Sequence, residues 1–175
     1  SLSLHDALPI LGQISPRHER IDLCELCRQA LPLQGASWPE TVQLATNLPQ
    51  PGPLVMADGE QIRHVLPVLI QNSLEALPQG RGTVHVSVRL WSQKEMASER
   101  HAPDCPPPHQ SFCAGLSVRD NGSGIPPISQ EQLFDPFYST RQTGRGLGLS
   151  IALGIAQAHG GTLLVHSTPG SGSTL

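Results

Sequence analysis

Residues 53–77, PLVMADGEQIRHVLPVLIQNSLEAL, constrain the fold more than any other part of the chain. A short apolar strand runs directly into a long helix, and Asp58 stands between them as N-cap, with Gln61 completing a capping box. Apolar residues then recur at helical spacing: Ile62, Val65, Leu66, Leu69, Ile70, Leu74 and Leu77. A helix with one apolar side needs a partner to cover that side, and we expect Pro67 to bend it.

Segments with strand character surround this helix. They are TVQLATNL (41–48), GTVHVSVRLW (82–91), AGLSVRD (114–120) and TLLVHSTPGSGSTL (162–175), the last interrupted by a Pro-Gly turn. Helices are predicted in IDLCELCRQALPL, which begins near Asp22, in EQLF, and in GLGLSIALGIAQAHGG, which glycines close. The polar, proline-rich residues 92–114 are interpreted as a flexible insertion. The pattern predicts an α/β two-layer sandwich, with a mixed sheet covered by helices on one face.

Composition excludes several classes of protein. The formal net charge is −3, which disfavours a nucleic-acid-binding surface. No apolar run reaches membrane-spanning length, and no signal peptide is recognisable. Four cysteines are present: Cys24, Cys27, Cys105 and Cys113. A zinc site that joins them with His109 is an alternative, but the loose downstream spacing favours free thiols that pack as small hydrophobic groups.

Four short stretches carry the residues whose chemistry suits ligand binding. Asn72 interrupts the long helix in LIQNSLEA, and its amide oxygen suits a hard cation such as Mg²⁺. Asp120 ends a strand in DNGSG, where a carboxylate can accept from an exocyclic amine. LFDPFYST places Phe134 and Phe137 in a loop. TGRGLGLS opens a helix with glycines, so that backbone N–H groups and the positive helix end face an anion.

The order and spacing of these stretches resemble the ATP-binding catalytic domain of sensor histidine kinases, within the superfamily of gyrase, chaperone and mismatch-repair ATPases. LIQNSLEA is similar to the N box, DNGSGIPP to the first glycine box and LFDPFYST to the F box of that family. TGRGLGLSIALGIAQAHGG is similar to the second glycine box, and GSGSTL to the opening of the third. The resemblance covers about residues 19–175 and implies the ATP-binding fold of this superfamily, known as the Bergerat fold.

The resemblance also implies a set of ligand-binding residues. Asn72 would hold the Mg²⁺ that bridges the phosphates, and Asp120 would accept from the adenine amino group. Ser173 stands where the third box usually has a threonine near the adenine. The remaining implied nucleotide-binding residues are Gly122, Gly124, Phe137, Arg141, Gly144, Gly146, Leu147 and Gly148. Among these, Gly122 and Gly124 would let the backbone approach the base, Gly144, Gly146 and Gly148 would shape a lid, and Arg141 would reach the phosphates.

One position departs from the family pattern. Four residues before Asn72, the related ATPases carry a water-activating Glu and the kinases usually carry an Asn, but Val68 stands here. Valine neither polarises water nor binds a ligand by hydrogen bonding, which argues against a hydrolysing ATPase. It argues less against a kinase, because phosphoryl transfer depends mainly on positioning and charge neutralisation. A module that binds ATP but transfers phosphate poorly therefore remains an alternative.

His5, in SLSLHDALPI, is not the phosphoacceptor that HD followed by an apolar run suggests. Only about sixteen residues separate it from the DLCELC helix, too few for the second helix of an acceptor hairpin at 1.5 Å per residue. We interpret residues 1–10 as translated sequencing adapter. Residues 1–18 are then an adapter-derived and linker remnant with the end of the hairpin, and 19–175 are the catalytic domain, truncated in its last strand.

The expected function is the catalytic half of a histidine kinase. It would bind ATP and Mg²⁺ and pass the γ-phosphoryl group to a His on a hairpin outside this chain, and thence to a response regulator. A nucleotide-binding module without efficient transfer and a related non-kinase ATPase are the alternatives. The implied location is a cytoplasmic domain, with membrane anchoring of the full-length protein left open. A homodimer is expected for the full-length protein only, and no nucleic acid is expected to bind.

Overall fold

A computed structural model of the chain describes residues 17–34, 38–98, 100–101, 111–133 and 148–175. The strands are β1 (Glu19–Asp22), β2 (Val42–Asn47), β3 (Leu54–Ala57), β4 (Gly82–Ser92), β5 (Arg100–His101), β6 (Phe112–Asp120), β7 (Leu164–Thr168) and β8 (Gly172–Thr174). The α-helices are α1 (Leu23–Gln34), α2 (Gly59–Ala76), α3 (Gln93–Ser98), α4 (Pro127–Gln132) and α5 (Gly148–Ala158). A single 3₁₀ turn, Pro78–Gly80, follows α2.

The main sheet is mixed and has the strand order β2-β4-β6-β8-β7-β5. β2 runs parallel to β4, and every other neighbouring pair is antiparallel. β4 and β6 form the longest ladder, from Val84 opposite Asp120 to Ser92 opposite Phe112. β1 and β3 form a separate two-stranded antiparallel sheet. β6 lies between β4 and β8 in the main sheet, so its last residue, Asp120, is held on an interior strand.

The core lies between the main sheet and the helices. Along β4 the side chains alternate between core and periphery, and Val84, Val86 and Val88 are buried. The predicted apolar stripe of α2 meets them, with Leu66, Leu69 and Ile70 almost fully buried. These residues belong to one hydrophobic cluster that also includes side chains of α1 and α5. The predicted α/β architecture, with helices on one face of a mixed sheet, is confirmed.

The start of α2 also agrees with the sequence prediction. Asp58 is the N-cap, and its side chain accepts from the N–H groups of Glu60 and Gln61 at 3.1 and 3.2 Å. The helix runs without a break through Pro67 to Ala76. The apolar side chains of α2 pack against the core from Ile62 to Leu74, and this packing outweighs the one backbone hydrogen bond that the proline removes.

Two segments differ from the sequence-based expectation. Residues 19–22, for which the sequence predicted no strand, form β1, with Ile21 opposite Val55. Within the supposed flexible insertion, residues 93–98 form helix α3, residues 100–101 form β5 and residues 112–114 belong to β6, so that prediction was wrong for these parts. Met96 is buried there, and Glu95 accepts from the Ser92 N–H at 2.9 Å and from Arg89 at 2.8 Å. Residues 102–110 of the insertion lie outside the described residues.

The thiols behave as packing groups in the described part of the chain. Cys24 and Cys27 are fully buried and free, and Cys113 is free and half-buried. Burial raises the pKa of Cys27 to about 12. The described residues contain no cluster of His, Cys, Asp and Glu that would hold a metal ion. Cys105 and His109 lie outside the described residues.

Candidate nucleotide site

Helix α2 presents Asn72 one turn before its C-terminal end. The side-chain amide donates from Nδ2 to the carbonyl oxygen of Val68 at 2.8 Å, and the residue is half-buried. This bond fixes the side chain and leaves the amide oxygen, the atom that a hard cation takes, without a described partner. One protein oxygen fits Mg²⁺, because this ion is usually held by one or two protein oxygens together with substrate phosphates and water.

Strand β6 delivers Asp120 to the same end of the molecule. Its side chain is buried, with 4% relative exposure. One carboxylate oxygen, Oδ1, accepts from the N–H of Gly122 at 2.9 Å and from the N–H of Ser173 at 3.3 Å. Burial raises the pKa of the Asp120 carboxyl above its ordinary value of 3.8, while these two N–H groups and the Ser73 hydroxyl act in the opposite direction.

The loop after β6 is packed directly on the end of α2. The N–H of Ser123 donates to the carbonyl oxygen of Ala76 at 3.0 Å. A Cβ atom at Gly122 would collide with that same carbonyl group, and one at Gly124, where φ is +69°, would collide with the backbone of Thr168. The two glycines are therefore required by contacts within the chain. Close packing here joins the element that carries Asn72 to the one that carries Asp120.

Ser173 takes part in the site through its backbone. Its N–H contacts Asp120, while its hydroxyl lies 2.8 Å from that of Ser167. Ser167 is a residue that the sequence analysis missed. Its Oγ donates to the carbonyl of Gly172 at 3.1 Å and accepts from the N–H of Ile125 at 2.8 Å. Ser167 thus connects the loop after β6 to the β7–β8 turn. In the sequence, its position just before the Pro-Gly turn is the one sign of this role.

Val68 contacts the beginning of α5. A Cβ atom at Gly148 would lie 3.2 Å from Cγ1 of Val68, so glycine allows the two helices to approach. Val68 is half-buried and packs against the hydrophobic core. It adds no polar atom to the site except its carbonyl oxygen, which Asn72 uses. The other implied nucleotide-binding residues, Phe137, Arg141, Gly144, Gly146 and Leu147, lie outside the described residues, as does Phe134.

A cavity of about 470 Å³ lies elsewhere, between β6 and β7 beneath helices α2 and α5. Its lining is mostly apolar, includes Leu69, Leu116 and Leu163, and contains neither Asn72 nor Asp120. It also contains no Asp, Glu, Lys or Arg. A polyphosphate needs cationic groups or a metal with its oxygen ligands, so this cavity does not suit one.

The sequence model of the family described as histidine kinase-, DNA gyrase B-, and HSP90-like ATPase matches residues 57–175. The chain belongs to this family. The match contains the N-box helix, the Asp120 loop and the β7–β8 turn. The family match therefore includes the residues that the described structure brings together.

Relatives and solved structures agree with this membership. The chain is 32% identical over 161 residues to the sensory histidine kinase/phosphatase NtrB of Salmonella typhimurium, covering 90% of this chain and 44% of NtrB. It thus spans less than half of the length of that relative. The catalytic domain of histidine kinase ThkA superposes with a TM-score of 0.68 at 24% identity, covering 90% of this chain and 91% of that one. Full-length ShkA in complex with AMPPNP gives a TM-score of 0.68 at 23% identity, covering 93% and 31%.

Proposed function

We propose that this chain is the ATP-binding catalytic domain of a two-component sensor histidine kinase. The observation that carries the proposal is the joining of Asp120 and Asn72 by the packed glycine loop. Asp120 is a buried acceptor on β6, and Asn72 on α2 has an amide oxygen with no partner among the described residues. A buried acceptor suits the exocyclic amine of adenine, and the amide oxygen suits the Mg²⁺ that accompanies the phosphates.

The proposed reaction passes the γ-phosphoryl group of ATP to a His on a hairpin domain outside residues 19–175. A receiver Asp of a response regulator would then accept it. Within the chain, Asp120 orients the base and Asn72 is the protein ligand of the Mg²⁺, which neutralises phosphate charge when bound. Support comes from the curated relatives, which are sensor histidine kinases, and from the ShkA structure, which contains an ATP analogue.

The response-regulator step has separate support. A structure of ThkA in complex with the response regulator protein TrrA resembles this chain, with a TM-score of 0.65 at 22% identity. We propose the same class of partner here, together with the phosphoacceptor hairpin. Phe137, Arg141 and the lid glycines complete the proposed nucleotide site.

Calorimetric titration with ATP tests the role of Asp120. Asp120→Asn keeps an oxygen for the N–H groups of Gly122 and Ser173 but places an amide where the base amine needs an acceptor. We expect ATP to bind about fivefold to 150-fold more weakly, since loss of a buried acceptor costs about 1–3 kcal/mol. Asp22→Asn is the matched control, because Asp22 accepts from Glu25 and Gly52 at the start of α1. Equal ATP affinity of wild type and Asp120→Asn would remove Asp120 from the base site.

The role of Asn72 is tested by comparing titrations with and without Mg²⁺. Asn72→Ala deletes the metal-ligating oxygen, so we expect the gain in ATP affinity that Mg²⁺ gives the wild type to be lost, with metal-free affinity nearly unchanged. Gln71→Ala, an exposed neighbour on the same helix, is the control. A Mg²⁺ effect of the same size in wild type and Asn72→Ala would contradict the assignment.

Val68 supports a second candidate, a nucleotide-binding module with poor phosphotransfer. Its half-buried apolar side chain occupies the position that is usually polar in the kinases. Labelled ATP, incubated with the chain and an acceptor hairpin from a related kinase, distinguishes the two. Label on the hairpin His supports the kinase. ATP binding without transfer, when a related catalytic domain labels the same hairpin, supports the module.

A further inference from the structure

Ser73 follows Asn72 on α2 and has an unusual environment for a polar residue. Its relative exposure is 1%, and its hydroxyl has no hydrogen-bond partner among the described residues. A buried hydroxyl without a partner is destabilising, whereas alanine at this position would avoid that loss. An unpaired buried hydroxyl in a native protein therefore needs an explanation, and a ligand or an ordered water is one.

The Asp120 carboxylate is the acceptor on which this hydroxyl acts. The Ser123–Ala76 hydrogen bond fixes the loop after β6 against the last turn of α2, one turn from Ser73. Oδ1 of Asp120 already accepts two N–H groups, while Oδ2 has no hydrogen bond within the described ranges. The Ser73 hydroxyl lies close enough to lower the pKa of the carboxyl, although not in hydrogen-bond geometry.

This inference rests on the proposed nucleotide site. We propose that Ser73 is a positioning residue of the base pocket: with nucleotide bound, its hydroxyl donates to Oδ2 of Asp120, directly or through one water. The bond orients Oδ2 toward the exocyclic amine of adenine. Ser73 would thus contribute to the choice of base and would leave the affinity for the ribose and phosphates unchanged.

The experiment compares ATP with purine riboside triphosphate, which has the same sugar and phosphates but lacks the amine. We expect Ser73→Ala to weaken ATP binding about threefold to tenfold, the equivalent of one hydrogen bond. Affinity for the analogue is expected to change less than about twofold, since no amine reaches Asp120. Thr162→Val is the matched control: Thr162 also has a buried, unpaired hydroxyl, but it lines the apolar cavity away from Asp120.

A pH series provides a second measurement that a packing role would not affect. The Ser73 hydroxyl lowers the pKa of Asp120, so its removal raises that pKa. We expect the loss of ATP affinity at acid pH to begin at a higher pH in Ser73→Ala than in wild type. Ser73→Cys keeps a small side chain with a weak donor and is expected to fall between the two.

The outcomes separate this inference from the proposed function. Equal losses for ATP and the analogue, or unchanged ATP affinity in Ser73→Ala, overturn the role of Ser73. If Asp120→Asn still loses ATP in that case, the nucleotide site stands. A wild-type chain that binds no ATP overturns both. Thermal melting of each variant confirms folding.

Discussion

Backbone groups hold Asp120 in place. The N–H groups of Gly122, in the loop after β6, and of Ser173, in β8, converge on one carboxylate oxygen. Gly172, just before Ser173, has a φ of +95°, and a Cβ atom there would collide with the backbone carbonyl of Asp120. The position of Asp120, the proposed base acceptor, therefore depends on Gly172, a residue without a side chain.

Gly172→Ala tests this dependence. The substitution combines a left-handed backbone with a collision, and we expect it to lower the free energy of unfolding by about 2–4 kcal/mol. Gly170→Ala is the matched control, because Gly170 also has a positive φ, +78°, but open space around its Cβ position. That variant should lose only about 1 kcal/mol. Urea denaturation measures both, and equal losses would show that the collision is relieved by small shifts.

At the scale of elements, helix α2 links the nucleotide site to the rest of the fold. Its N-terminal end is fixed by Asp58, whose carboxylate accepts from Gln61 and Glu60 and also from the N–H of Arg17 at 3.1 Å. The Asp58 N–H donates to Nε2 of His159 at 2.9 Å, just beyond the end of α5. Asp58 thus joins the start of α2, the helix that carries Asn72, to the end of α5, the helix whose start contacts Val68.

Asp58→Ala is expected to lower the melting temperature by a few degrees at neutral pH, since it removes a helix cap. The hydrogen bond from Gln61, with those from Arg17 and Glu60, lowers the pKa of Asp58 below 3.8. The ionised group therefore stabilises the fold above that pH, and this contribution is lost as the pH falls through the lowered pKa. Melting from pH 7 to pH 3 measures the effect.

The difference between wild type and Asp58→Ala should shrink only at the acid end of that range. Glu40→Ala, an exposed carboxylate in the turn before β2, provides the control. A difference that stays constant down to pH 3 would mean that packing around residue 58, and not the charged cap, carries the stability.

The sequence predicted those elements whose signal is local. The apolar stripe and the Asp58 cap are encoded within a few residues, so α2 was found with its start. Strand β1 was missed because its partner, β3, lies more than thirty residues away along the chain. Ser73 was missed because a serine beside Asn72 on an amphipathic helix looks like a surface residue. Its burial depends on β6, which the spacing of apolar residues in α2 does not reveal.

At the scale of the whole molecule, one hydrophobic core supports both the site and the distant helix α1. Cys24 and Cys27 are fully buried in that core, whereas Cys113 is half-buried and lines the apolar cavity at β6. The three described thiols therefore lie at different depths below the protein surface. A thiol reacts as its thiolate, so the raised pKa of Cys27, about 12, slows its reaction further.

Pulsed labelling with a thiol reagent, read by peptide mass spectrometry, measures these depths. We expect Cys113 to react in the native protein, while Cys24 and Cys27 react only at the rate of global unfolding, with the same dependence on urea. The two groups of thiols differ because the face of α1 that carries Cys24 and Cys27 is packed in the hydrophobic core. That face becomes accessible only when the core unfolds. Cys24→Ala and Cys113→Ser variants assign each signal. Labelling of Cys27 at low urea, before the fold unfolds, would show that α1 detaches as a separate unit and that the core is not cooperative.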